Sequence, residues 1–196
     1  MNKIAIPMLC FCDIPLKQLK NHYGTYGNHG IALSKEWGEN KKISPVHYLF
    51  KNSDVFEEFR ELFKYANEKE DRVIQNYIFN RLMFTKPKSG YQDGSIKFFT
   101  DEQEHRYIPN LFENEELSQF YINPTFELDD LNHSIALDEK HLLSFATIDV
   151  KYIIVSTNRE KNVVANEIAN NKKLTQSEQI ELITKIISKE EIEDDF

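Results

Sequence analysis

Glu102, Glu104 and Arg106 occupy alternate positions in the run from Lys97 to Pro109, with Gln103, His105 and Tyr107 interleaved. If this run is a strand, alternate side chains share a face. Two carboxylates then stand roughly 6–7 Å apart, with a guanidinium beside them. One reading is an acid–arginine constellation lining a pocket, able to orient a ligand or move a proton. The plainer reading is an ion-paired sheet face in which Arg106 balances the carboxylates, contributing under about 1 kcal/mol.

A second stretch with chemical potential runs over residues 21–30. Gly24, Gly27 and Gly30 recur every third residue, with His22, Tyr23, Tyr26 and His29 among them. It is no P-loop, since Lys-Ser/Thr is missing, and it is no dinucleotide fingerprint. It reads as a tight loop between a helix and a strand, or as an aromatic, His-bearing ligand loop. His22, His29, His47 and His105 form no pair at i, i+4 spacing and gain no Cys or Asp to complete a ligand set, so no metal is expected. No Ser, Cys and His arrangement suggests a nucleophile.

The elements that must position these residues follow from pattern. Residues 4–11 read as a buried strand, with Pro7 favouring an edge. Asp13 and Pro15 signal the start of a short helix ending at Gly24. Residues 30–34 and 45–50 read as strands, separated by a polar turn region that holds the only Trp, Trp37. Asp54 with Glu57 makes a capping-box pattern, and Val55, Phe59, Leu62 and Ala66 follow at helical spacing. After a charged break at 68–71, Ile74, Tyr77, Ile78 and Leu82 predict a second helix, giving a helical hairpin over about 53–85. Residues 87–94 read as a turn, and residues 110–139 as loop with short helical turns. Residues 151–156 give the clearest strand. Thr157 with Glu160, and Thr175 with Glu178, start C-terminal helices over about 158–190. In the last of these Ile180, Ile183, Ile186 and Ile187 form an apolar stripe running into an acidic tail. Strands, a helical hairpin, strands and then helices predict a single α+β domain over 1–196, with a small mixed or antiparallel sheet.

Composition narrows the function classes. The chain has 196 residues, 40% of them hydrophobic and 12% aromatic, which is ordinary for a folded protein and excludes wholesale disorder. Its net charge is −8, which matches phosphate-backbone binding poorly and suits a small-molecule site or a basic protein partner better. Residues 176–196 hold Glu178, Glu181, Glu190, Glu191, Glu193, Asp194 and Asp195 against Lys185 and Lys189 alone. Cys10 and Cys12 are read as projecting to opposite faces of a strand, unbridged and reduced, as in a cytoplasmic protein. No secretory leader is apparent, and no apolar run reaches membrane-span length.

Several blocks together resemble a known family. They are Pro7-Met8-Leu9-Cys10-Phe11-Cys12-Asp13-Ile14-Pro15-Leu16, His22-Tyr23 with Tyr26-Gly27, the stretch from Gly30 to Gly38, Pro45-Val46-His47-Tyr48, the stretch from Asp101 to Pro109, Tyr152-Ile153-Ile154-Val155, Lys185-Ile186-Ile187-Ser188, and Asp195-Phe196. In this order they are similar to the AbiGi family of abortive-infection proteins. The resemblance implies an antitoxin of a bacterial phage-defence system, paired with a nucleotidyltransferase-like toxin. It also implies a further segment before Ile4, and a Trp where this sequence has His105.

A second resemblance is to ADP-ribosyltransferase-like domains, through Glu102 and Glu104 as a Glu-x-Glu motif. It implies Glu104 polarising a ribose hydroxyl, Glu102 orienting or deprotonating an acceptor, NAD as cofactor, and Tyr23, Tyr26 or Tyr48 as an aromatic wall.

Two functions are therefore expected. The first is a cofactor-free cytoplasmic defence protein that binds a cognate toxin or defence partner, with the acidic C-terminal helix as a candidate docking element. The alternative is a nucleotide-handling enzyme with Glu104 and Glu102 catalytic, and Arg106, His22, Tyr23, Tyr26 and Tyr48 binding the ligand.

Overall fold

The computed structural model describes residues 5–50, 52–92, 94–109, 128–137, 139 and 142–195. In chain order its strands are β1 Leu9–Cys12, β2 Gly30–Leu33, β3 Ser44–Pro45, β4 His47–Leu49, β5 Thr85–Pro87, β6 Ser89–Gln92, β7 Ser95–Phe98, β8 Glu104–Tyr107, β9 Val150–Val155 and β10 Ile186–Ser188. Its helices are α1 Lys20–Tyr26, α2 Lys35–Asn40, α3 Asp54–Glu68, α4 Arg72–Met83, α5 Leu128–Ala136, α6 Asn158–Ala169, α7 Gln176–Ile183 and α8 Lys189–Asp195. Helices and several small sheets in one chain make an α+β fold. The chain divides into two compact units, residues 1–13 with 43–143, and residues 14–42 with 144–196.

In the first unit β8 is the central strand of an antiparallel sheet ordered β1-β8-β3. Pro45 lies in edge strand β3, where its missing N–H leaves no ladder bond unmade. One residue on, Val46 N–H still donates to the Glu104 carbonyl at 2.9 Å, and His47 N–H then turns to the Phe84 carbonyl at 2.7 Å. The chain thus leaves β8 and enters a second pairing, β4 parallel to β5. Parallel strands need a crossover, and α3 and α4 supply it. Ser53 caps α3, accepting from Phe56 N–H at 3.4 Å. The cap is therefore Ser53, one residue before the Asp54 that pattern suggested. Asp71 caps α4, accepting from Ile74 N–H at 3.1 Å. Phe63 and Phe79 meet edge to face at 5.4 Å between the two helices, beside buried Ala66, Ile78 and Met83. The stretch read as a turn over 87–94 contains β6, which pairs with β7 as an antiparallel hairpin.

The second unit is built on β9, with β2 antiparallel on one side and β10 parallel on the other. A pair of helices, α6 and α7, again makes the parallel crossover. Thr157 accepts from Glu160 N–H, and Thr175 with Glu178 forms a reciprocal capping box. Trp37, Val150, Val155 and Ile192 are buried in this unit. Trp37 Nε1 donates to the Ser144 carbonyl at 3.1 Å, and Phe145 meets its ring edge-on.

Three sequence expectations are corrected here. Residues 21–26 form a helix, not a loop, because α1 continues through Gly24 and stops at Gly27, whose φ of 93° is left-handed. The polar stretch after Ser34 is also helical, since Ser34 caps α2 by accepting from Trp37 N–H at 3.1 Å. The isoleucine stripe is not one helix. α7 ends at Ile183, and Ile186 and Ile187 pair with Ile153 and Ile154 as β10. Of the expected loop over 110–139, residues 110–127 lie outside the described residues, and α5 occupies part of the remainder.

Candidate functional site: a buried ion cluster on β8

Glu102 and Glu104 do not lie on one strand. Residues 99–102 form a 3-10 turn, Gln103 is left-handed with φ 42° and ψ 52°, and β8 begins only at Glu104. The kink, rather than the pleat, turns both carboxylates the same way. Asp13 N–H holds it by donating to the Gln103 carbonyl at 3.2 Å. Both glutamates are buried, Glu102 at 8% exposure and Glu104 at 5%.

Their common partner is Lys86 of β5. Its Nζ donates to Glu102 Oε2 at 2.7 Å and to Glu104 Oε2 at 2.6 Å. The other Glu104 oxygen, Oε1, accepts from Arg106 Nε at 2.6 Å. Arg106 Nη1 donates onward to the Met83 and Thr85 carbonyls at the end of α4 and the start of β5. Tyr48 Oη accepts from Glu104 N–H at 2.9 Å, and the Cys10 thiol hydrogen-bonds the Glu104 carboxylate. The Phe99 ring lies 4.6 Å below Lys86 Nζ, a cation–π contact. That ring fits because Gly90 has no side chain: a Cβ there would sit 2.8 Å from Phe99 Cε2. Four strands and a turn therefore converge on one charged centre.

The ionisation states follow from this packing. Burial by itself would raise Glu104. The hydrogen bonds from Lys86 and Arg106, the Arg106 charge and the Cys10 thiol outweigh it and hold the carboxyl below its ordinary value. For Lys86 burial opposes the ammonium, and the bonds and charges of Glu102 and Glu104 outweigh that too, raising its pKa. Cys10 is raised by burial first and then by its bond to Glu104, and Cys12 chiefly by burial. Both thiols are unbridged. They do not project to opposite faces: Cys10 stands opposite Arg106 and Cys12 opposite Glu104, so the two share one face of β1.

Glu102, Glu104, Arg106 and Tyr48 thus come together in the first unit. His22, Tyr23 and Tyr26 all lie on α1 in the second unit. His22 and Tyr26 stack at 6.0 Å, and Lys189 Nζ sits 4.8 Å over the Tyr23 ring. Tyr23 Oη is buried without a hydrogen-bond partner among the described residues. His29 Nε2 pairs with Glu160 at 2.8 Å, and His105 Nδ1 faces the Gln103 carbonyl at 3.0 Å. Among the described residues no group of three or more His, Cys, Asp and Glu could hold a metal ion. Among the described residues no helix is long and apolar enough to cross a membrane. Sequence reasoning missed Lys86 altogether. Nothing local marks it, because the carboxylates it binds lie 16 and 18 residues further along the chain.

Comparison with known proteins agrees on one family. A family model described as "Putative abortive phage resistance protein AbiGi, antitoxin" matches residues 1–156. An abortive phage resistance protein AbiGi from Lactococcus lactis subsp. cremoris is 32% identical, over 97% of this chain and 89% of that protein. No solved structure matches the chain. These findings lend no support to the ADP-ribosyltransferase resemblance. Residues 101–109, which build the cluster, lie inside the matched region, and the chain belongs to the AbiGi family of abortive phage resistance proteins.

Proposed function

We propose that this chain is the antitoxin of a cytoplasmic abortive-infection pair and restrains a toxin by binding it. The observation that carries the proposal is the match over residues 1–156 to a family described as an antitoxin. The geometry of the cluster supports binding over chemistry. A general base needs a free carboxylate near its substrate proton. Glu104 instead spends both oxygens on Lys86 and Arg106, and its depressed pKa makes it a weaker base. The cluster is a fastening between β8, β5 and the end of α4, and the function lies on the surface it holds in shape. The partner carries a basic face, complementary to a chain of net charge −8.

Co-expression tests this reading. The product of the adjacent gene is induced in a bacterial host with and without this chain. Growth arrest by that product alone, relieved when the chain is present, is the expected result. Arrest that continues unchanged at matched protein levels overturns it.

A further inference from the structure

The two units differ sharply in charge. Residues 14–42 and 144–196 carry twelve Lys and Arg against twelve Asp and Glu, so the whole net charge of −8 falls on the first unit. The acidic C-terminal region is therefore balanced within its own unit, and three of its carboxylates are held by hydrogen bonds or ion pairs. Glu190 accepts from Asn158 N–H at the start of α6 at 2.8 Å. Glu191 accepts from Ser188 N–H at 2.9 Å and pairs with Lys161 at 2.5 Å, and Glu181 pairs with Lys185 at 2.7 Å.

Helix α3 differs in kind. It holds Asp54, Glu57, Glu58, Glu61 and Glu68 against Arg60 and Lys64. Its inner face carries Phe63 and buried Ala66 against α4. Beside that face Val55, Glu58, Leu62 and Tyr65 follow at i, i+3, i+7 and i+10, a single stripe along the helix that borders buried Ala66. Val55, Leu62 and Tyr65 are 46%, 38% and 50% exposed. Glu57 is paired with Arg60, and Glu68 lies 3.9 Å from Lys64. Glu58 and Glu61 are exposed, and their carboxylates have no partner among the described residues. They are also one turn apart, a like-charge arrangement that weakens an isolated helix slightly and that a cation facing them would relieve.

We propose that this half-exposed stripe of α3 is the docking surface for the toxin, which meets it with an apolar centre flanked by Lys or Arg. The inference rests on the antitoxin reading and assigns it a place. Apolar side chains supply the area that leaves water, and the unpaired carboxylates supply orientation and a faster encounter.

The test is a titration of the fluorescently labelled adjacent-gene product with three forms of the full-length chain. These are the unsubstituted chain, a Glu58→Lys/Glu61→Lys/Leu62→Ser variant, and an Asp194→Lys control. All three substituted positions in α3 are exposed, and unchanged circular dichroism and thermal midpoint verify the fold. The expected result is binding about tenfold or more weaker for the α3 variant, with a flatter dependence on salt, and unchanged binding for the control. If the α3 variant binds as tightly as the unsubstituted chain, the docking surface is overturned and the antitoxin reading stands. If the unsubstituted chain does not bind, both are overturned.

Discussion

Removing the Lys86 ammonium would leave Glu102 and Glu104 side by side at 8% and 5% exposure. An ion pair of this kind adds little over a well-packed apolar substitute, yet breaking it from one side strands a buried charge. Lys86→Met should therefore lower the stability of the first unit by about 3 kcal/mol, toward the low end because Lys86 keeps 19% side-chain exposure. Urea unfolding followed by circular dichroism measures this, and Lys86→Met with Glu102→Gln and Glu104→Gln should recover part of the loss. The cluster also sets a pH window. Glu104 is lowered from 4.5 in the folded chain, so its contribution is complete above that value and disappears as pH falls through the lower folded one. Lys86 is raised from 10.5, so its contribution is complete below that value and is lost as pH rises through the higher folded one. Thermal midpoints should be level between about pH 5 and 10, fall on both sides, and fall less steeply on the acid side in Glu104→Gln. An acid limb identical in the two proteins would show that Glu104 does not set it.

At the scale of elements, the Lys86–Phe99–Gly90 stack shows why part of the site was invisible in the sequence. Glu102, Glu104 and Arg106 were legible because their spacing is local. Lys86 reaches them only because the β6–β7 hairpin folds the chain back, and Gly90 matters only because a ring from beyond the hairpin lies on it. Gly90→Ala should cost about 1–3 kcal/mol, since either the ring or the backbone must move, and the Lys86–Phe99 contact should loosen. A melt unchanged within about 0.5 kcal/mol would mean the ring shifts freely. The helical hairpin and the caps at Thr157 and Thr175 were legible from local side-chain chemistry. The terminal isoleucines were not. Ile183, Ile186 and Ile187 fit helical spacing, but a short β-branched run fits a strand equally, and only pairing with β9 decides it. Residues 21–26 misled in the opposite way. Their glycines suggested a loop, but a helix tolerates one glycine at about 1 kcal/mol when the His22 and Tyr23 side chains are buried by it.

For the whole molecule, family, charge distribution and site geometry point the same way. The chain belongs to the AbiGi family, its net charge is concentrated in the unit that carries α3, and its most chemical-looking carboxylates are bound to cations inside that unit. A local run of carboxylates behind an isoleucine stripe led sequence reasoning to the C-terminal tail, because the sequence shows where carboxylates are but not which are already paired. The central claim is that the chain protects by binding a partner and that Glu102 and Glu104 hold the fold without acting chemically. The most direct measurement compares protection from the adjacent-gene product by the unsubstituted chain and by a Lys86→Met/Glu102→Gln/Glu104→Gln variant shown to be folded at the growth temperature. The two should restore growth equally at equal protein levels. A folded variant that gives no protection, while the unsubstituted chain does, would contradict it.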